Sequence, residues 1–371
     1  MTKHQIIIVG GGAAGIATAS SLLSRDASLD IAIIEPSDQH FYQPGWTMVG
    51  AGIFTKGQTV RSTDSAWPSG IKRIKGAVAT FSPDKNNIIL EDGSEVLYEY
   101  LVVAAGLKLD WGAIEGLENT LGKNGVTSNY RFDLAPYTWE LVQKMQGKTA
   151  IFTQPPMPIK CAGAPQKAMY LSCDAWLKAG KLSGIEVSFC NAGPVLFGCA
   201  PYVPPLMEYV KKYDISLDFG HNLVKIDGPN RKAWFKVTKD GEDSQIVERK
   251  FDMIHVCPPQ CAPDFIKDSS LSGAGGWVDV DQATLQHTAY ENVFGLGDVT
   301  STPNAKTVAA ARKQAPIVAQ NLIAKIRGQS LAPLYDGYGS CPLTVEKGKI
   351  ILAEFGYGGK VMPTFPWDST K

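Results

Sequence analysis

The chain has 371 residues, of which 44% are hydrophobic and 19% charged, with 36 basic residues against 36 acidic ones. A formal net charge of zero leaves a non-specific nucleic-acid role without electrostatic support. No run of 18 or more apolar residues exists to cross a bilayer, and the first apolar run, Ile6–Val9, is too short for a signal-peptide core.

The first elements come from "HQIIIVGGGAAGIATASSLL", which reads as a short strand, a glycine turn and an alanine-rich helix. Gly10, Gly12 and Gly15 space as G-x-G-x-x-G, with Ala13 and Ala14 between them. Gly10 permits the tight turn, Gly12 lets backbone approach a pyrophosphate, and Gly15 lets helix and strand pack closely. The helix N-terminus offers N–H groups and a positive dipole end to phosphates. A second strand in "LDIAIIEP" ends at Glu35, twenty residues after Gly15, where a carboxylate can accept from ribose hydroxyls. These features leave open whether the dinucleotide is FAD or NAD. The segment Gln39–Trp46 then packs beside the nucleotide, and a strand over Tyr100–Ala104 ends at Ala105-Gly106.

Mid-chain, "GKTAIFTQPPMPIKCAGAPQKAMYLSCDAWLK" reads as a strand over Thr149–Thr153 and a helix over Pro165–Leu177. The turn between them holds Pro155, Pro156, Pro158, Cys161 and Gly163. Prolines lack N–H donors, so this loop is a poor phosphate cradle. Further strands are expected in "IEVSFCNAG", "ISLDFGHNLVKIDG", "KAWFKV" and "DMIHVCPP". Near the end, Val293–Leu296 reads as a strand, Gly297-Asp298 as its end, and Thr307 onward as a helix. "YDGYGSCPLTVEKGKIILAEFGY" follows as turn, strand, turn, strand and carries Cys341.

The seven cysteines show neither disulfide-scaffold density nor zinc spacing. A reducing compartment is expected, in which a disulfide is more often redox-active than structural. Cys161 lies just before a helix, with Lys160 and Lys167 nearby, and both a helix N-terminus and ammonium groups lower a thiol pKa. A buried inert thiol is the alternative, but the loop placement of Cys161 and Cys341 and their rigid Gly/Pro neighbours favour chemistry. Cys257 and Cys261 lack Cys-x-x-Cys spacing and read as structural, while Cys173, Cys190 and Cys199 read as buried thiols. His4, His40, His221, His255 and His287 lack metal-ligand spacing, so no metal is expected, and His255 reads as a core residue.

The Ala105-Gly106 and Gly297-Asp298 segments resemble the flavin-binding signatures of the FAD-containing pyridine nucleotide–disulfide reductase superfamily. That resemblance implies FAD, with Asp298 at the ribityl chain and the following helix pointing at the isoalloxazine. The superfamily's second nucleotide fingerprint is replaced by the proline-rich turn. The stretches "EPSDQHFYQPGWTMVGAG", "KCAGAPQKAMYLS", "AGGWVDVDQATLQH", "NVFGLGD" and "YDGYGSCPL" together resemble the sulfide:quinone oxidoreductases, in the two-cysteine group that includes the mitochondrial enzyme. The resemblance covers Gln5 to Asp368.

It implies that Cys161 and Cys341 form a redox-active disulfide attacked by hydrosulfide. Cys341 matches the persulfide carrier, Cys161 the thiolate that adds to the flavin, and Lys167 a lysine that polarises the sulfur site. Ala13, Ala14, Glu35, Gln43, Val78, Asp298 and Lys306 match FAD contacts. Sulfide, a quinone and a small-molecule sulfur acceptor are the implied partners, with peripheral membrane contact and room for a homodimer.

The expected fold class is α/β, with two Rossmann-like domains and a C-terminal β-containing segment. The FAD domain is assigned to 1–110 and 270–328, a second domain without a nicotinamide site to 111–269, and the C-terminal segment to 329–371. The resemblance implies an amphipathic tail past "FPWDSTK", so with the sequence ending at Lys371 the expectation is either that the tail is not included or that membrane contact is weaker, and 329–371 is assigned as a truncated membrane and quinone region. The apolar residues Phe355, Tyr357, Val361, Met362, Phe365 and Trp367 are candidates for that surface. The expected location is the cytoplasmic face of a cell membrane. Two competing readings are an NAD(P)H:quinone oxidoreductase, which needs the missing phosphate loop, and a non-enzymatic flavin-binding redox sensor.

Overall fold

The computed structural model describes residues 2–238 and 243–370; the final Lys371 lies outside them. The first strand runs over Thr2–Val9, longer than its apolar core, and Ile6, Ile7 and Ile8 are fully buried. A parallel strand covered on both faces needs such a continuous apolar run. Each of these side chains contributes about 1.5–3 kcal/mol on burial.

The strand sits inside a seven-stranded sheet. Ile31–Ile34 and Glu95–Val103 flank it in parallel, Lys72–Ile74 extends one side, and Val293–Gly295 joins Glu95–Val103 in parallel. The strand expected at Tyr100–Ala104 begins five residues earlier, at Glu95. Its first half pairs antiparallel with Asn87–Leu90, which pairs in turn with Val78–Ser82. Helices Ala13–Leu23 and Val308–Ile326 pack together against this sheet. Thr307 caps the second of them by accepting from the Ala310 N–H.

The middle of the chain forms a second, five-stranded parallel sheet, in the order Val126–Thr127, Met253–His255, Thr149–Gln154, Glu186–Asn191 and Ile215–Phe219. Helix Ala164–Lys178 covers one face. A three-stranded antiparallel sheet of His221–Asp227, Lys232–Val237 and Gln245–Lys250 adjoins it. The fold is α/β with two Rossmann-like sheets, the first mixed with a parallel core and the second parallel throughout.

The C-terminal hairpin, Gly339–Glu346 with Lys349–Phe355, packs on helix Ala164–Lys178. Its Cys341, Leu343, Val345, Ile351 and Ala353 join the core of the second sheet. Cys341 therefore lies within a strand and is fully buried, which departs from the loop placement expected for it. The terminal apolar residues divide. Phe355 packs edge-on against Phe197, whereas Phe365 and Trp367 stack at 4.2 Å and stay exposed at 43% and 60%. Among the described residues, no helix is long and apolar enough to cross a membrane.

Candidate active site

The glycine turn has the shape its sequence requires. Gly10 has φ +106, and a Cβ there would stand 2.5 Å from the Ala104 carbonyl oxygen. A Cβ on Gly15 would fall 1.9 Å from the Gly10 carbonyl oxygen, so that glycine closes the helix onto the turn. Gly12 differs, because nothing lies within 4 Å of a Cβ built on it. The helix starting at Ala13 has no side-chain cap. Glu35 follows its strand and accepts from the Gly11 and Ser37 N–H groups, each at 2.8 Å. A carboxylate oxygen has a second lone pair, so these bonds leave capacity for a further donor.

Two distant segments meet this turn. A Cβ on Gly297 (φ +76) would come 3.1 Å from the Ala14 methyl, and the Gly297 N–H donates to Gln314 Oε1 at 2.8 Å. Asp298 follows Gly297. Burial pushes its carboxyl up from the usual range, while the Lys160 and Lys306 ammonium groups pull it down. Lys306 is 7% exposed, donates to the Asp298 and Thr300 carbonyls at 2.8 Å each, and lies 4.1 Å from the Trp277 ring. Burial lowers its pKa to about 8. Ala105 and Gly106 follow the central strand, and Ala105 and Val78 line one cleft of about 1030 Å³.

The sulfur site adjoins these residues. The Cys161 N–H donates to the Lys306 carbonyl at 2.9 Å. Lys160 Nζ donates to Gln43 Oε1 at 2.6 Å, which ties the Gln39–Trp46 segment to the same place. Cys161 is half-buried with φ +50, a left-handed conformation uncommon outside glycine. Gly163 lets the hairpin approach, since a Cβ there would meet Leu343 at 3.0 Å and the Cys341 Cβ at 3.6 Å. Cys341 packs beside Cys161 across Gly163, and Lys167 Nζ approaches the Cys161 sulfur at 3.5 Å. The Cys341 hydrogen bond, the Lys167 charge and the Gly163 N–H hold Cys161 well below the ordinary thiol range, against the opposing effect of burial. Cys341, which gives that hydrogen bond and is buried beside the Cys161 charge, is pushed well above it. The two thiols are thus shifted in opposite directions.

The other thiols are different. Burial raises Cys173, Cys190, Cys199, Cys257 and Cys261. His255 is fully buried, stacks on Phe152 at 5.9 Å and accepts the Asn129 N–H at Nε2, while its Nδ1 has no partner. Two residues at the sulfur site were not singled out from the sequence, Tyr130 and Gln260. Both follow carboxyl ends of parallel strands, the usual place for site residues in this kind of sheet.

The pyridine nucleotide-disulphide oxidoreductase family matches residues 4–143. The mitochondrial sulfide:quinone oxidoreductase of Dictyostelium discoideum is 43% identical over 99% of this chain and 81% of its own length. The mitochondrial sulfide:quinone oxidoreductase of Mus musculus is 40% identical over the same shares. The chain belongs to the sulfide:quinone oxidoreductase family. The solved sulfide:quinone oxidoreductase of Aquifex aeolicus has a TM-score of 0.78 and 20% identity over 98% of this chain and 85% of that one, a likeness of fold.

Sulfide:quinone oxidoreductases are FAD-dependent flavoproteins. The residues present fit that group. The space beside Gly12 and the uncapped helix start suit a pyrophosphate, and Glu35 keeps an acceptor for a ribose hydroxyl. The helix after the proline turn has Gly163 as N-cap and Pro165 in its first turn, and Pro165 carries no N–H to offer a phosphate.

Proposed function

We propose that this sulfide:quinone oxidoreductase oxidises hydrosulfide through Cys161 and Cys341, sends the electrons through FAD to a quinone, and gives the sulfur to a small-molecule acceptor. The observation that carries the reading is the meeting of Cys161 and Cys341 across Gly163, with Lys167 Nζ 3.5 Å from the Cys161 sulfur.

The opposite shifts of the two thiols, Cys161 downward beside Lys167 and Cys341 upward, support one direction of attack on the oxidised pair. In thiol–disulfide exchange the sulfur of lower pKa leaves faster. Hydrosulfide therefore attacks Cys341 Sγ: its sulfur bonds to Cys341, the Cys341–Cys161 bond breaks, and Cys161 leaves as a thiolate. The products are a Cys341 persulfide and the Cys161 thiolate, whose charge Lys167 and the Gly163 N–H stabilise. A nucleophilic acceptor then bonds to the outer sulfur, and Cys341 departs as a thiol. Re-forming the disulfide from the thiolate and the thiol releases one proton and two electrons. Bound FAD supplies the two-electron relay to the quinone.

In this reading Gly10, Gly12, Ala13, Ala14, Gly15, Glu35, Val78, Ala105 and Gly106 hold the nucleotide half of FAD. Gln43, Gly297, Asp298 and Lys306 hold the half that faces the sulfurs. The assignment keeps 1–110 and 270–328 as the FAD domain and 111–269 as the domain that delivers Cys161, with 329–371 delivering Cys341. The stacked, exposed Phe365 and Trp367 suit peripheral contact with the membrane that supplies the quinone.

Anaerobic titration of the oxidised protein, first with sulfide and separately with NADH, tests the proposal through the flavin absorbance. Sulfide bleaches the flavin and NADH does not. Rapid reduction by micromolar NADH would overturn the assignment in favour of a nicotinamide-dependent quinone reductase.

A further inference from the structure

The peptide that carries the Cys161 sulfur is held at all four of its backbone polar groups. The Lys160 N–H donates to Gln260 Oε1 at 2.7 Å. The Lys160 carbonyl accepts from the Tyr130 hydroxyl at 3.2 Å. The Cys161 N–H donates to the Lys306 carbonyl at 2.9 Å, and the Cys161 carbonyl accepts the Ala164 N–H at 2.7 Å. The Tyr130 hydroxyl lies 3.4 Å from that second carbonyl as well, so it bridges the two.

Two of these partners are side chains, and both are buried, with Tyr130 4% and Gln260 8% exposed. Gln260 Nε2 reaches back to Cys257 Sγ at 3.8 Å, which places Cys257 behind the clamp. A cysteine at φ +50 persists only where its surroundings over-determine it. Rotating that φ to an ordinary negative value turns the Cα–Cβ bond relative to the Lys160 carbonyl and carries the sulfur with it. The sulfur faces Cys341 and Lys167, with Lys160, Asp298 and Cys257 as the further titratable groups around it. Neither Tyr130 nor Gln260 bonds to a sulfur of the reacting pair.

We propose that Tyr130 and Gln260 are positioning residues of the sulfur site, fixing the Lys160–Cys161 peptide in its left-handed form so that the Cys161 sulfur faces Cys341 and Lys167. The inference deepens the sulfide reading above and rests on it for its kinetic consequence only.

The test uses reduced, FAD-loaded protein. Alkylation of Cys161 by iodoacetamide is followed against pH, by mass spectrometry of the peptide that contains it. Tyr130→Phe and Gln260→Met are expected to move the midpoint upward by about one pH unit and to slow flavin reduction by sulfide about tenfold, the scale of one buried hydrogen bond. Tyr137→Phe removes a different tyrosine hydroxyl, the partner of the Gly125 N–H, and leaves both readouts unchanged. If Tyr130→Phe fails to fold, Gln260→Met decides. Wild-type alkylation profiles in the folded variants would overturn the proposal. A wild-type flavin that sulfide cannot reduce would overturn the sulfide reading alone, because the alkylation profile still tests the positioning.

Discussion

Cys341 packs beside Cys161 across Gly163, although one residue lies inside a C-terminal strand and the other precedes a mid-chain helix. Strand Gly339–Glu346 is pinned on helix Ala164–Lys178, and Gly163 leaves room for the approach. Each thiol therefore shifts the other, Cys161 downward and Cys341 upward.

Replacing either cysteine by serine is expected to lower sulfide-dependent quinone reduction by on the order of a hundredfold or more, since residues that act as a unit fail together. The Cys341→Ser protein keeps its yellow colour, because the glycine turn is untouched. Steady-state quinone reduction and the flavin spectrum check both points. Substantial sulfide-dependent turnover in the double variant would refute the thiol mechanism.

Lys167→Met removes the ammonium beside Cys161 and leaves the aliphatic stem. Cys161 is held below the ordinary thiol range, so the thiolate is present above its lowered pKa and is lost as pH falls through that value. Without Lys167 this loss begins at higher pH. Sulfide-dependent flavin reduction should fall about tenfold near neutrality and recover toward the wild-type rate in alkali. A pH profile parallel to wild type would show that the lysine charge does not act on the sulfur.

Two glycines in one motif should fail differently. A valine at position 12 meets open space in the protein itself, so Gly12→Val folds with a near wild-type melting temperature but purifies colourless. A valine at position 15 collides with the Gly10 carbonyl oxygen, so Gly15→Val loses stability, by roughly 3 kcal/mol or more. Thermal melts alongside flavin content separate the two. A fully yellow Gly12→Val protein would place the pyrophosphate elsewhere.

His255 gives an acid-stability prediction. Burial lowers its pKa from 6.5 to about 4, so between those values the unfolded chain binds more protons than the folded one. Stability falls as pH drops through that window, by on the order of 3 kcal/mol, and this contribution levels off below it. His255→Gln, which can still accept the Asn129 N–H, should lose this dependence. Denaturant melts at pH 7 and pH 4 on both proteins provide the check.

The sequence alone determined the features that are local in the chain. The strand, turn and helix around Gly10, Gly12 and Gly15 were legible because the positions at Gly10 and Gly15 forbid a Cβ and so must be written in glycine. The donor-poor turn before Cys161 was equally legible, because proline removes N–H donors wherever it stands. Cys161 could be marked from its neighbours, a helix start and Lys167 six residues on.

Tertiary structure decided what those local features meet. Gln245–Lys250 shows mostly exposed residues and no alternating pattern, and it becomes a strand through pairing with Lys232–Val237. Cys341 owes its burial to a hairpin that packs on a helix from another part of the chain, and its raised pKa to Cys161 and that burial. Tyr130 and Gln260 carry no motif, and they reach the Lys160–Cys161 peptide because two parallel strands end beside it. Periodicity and turn chemistry report how one segment is buried or bent. Which distant segments share a face depends on the packing of whole sheets, and the protonation of a thiol pair follows from that packing.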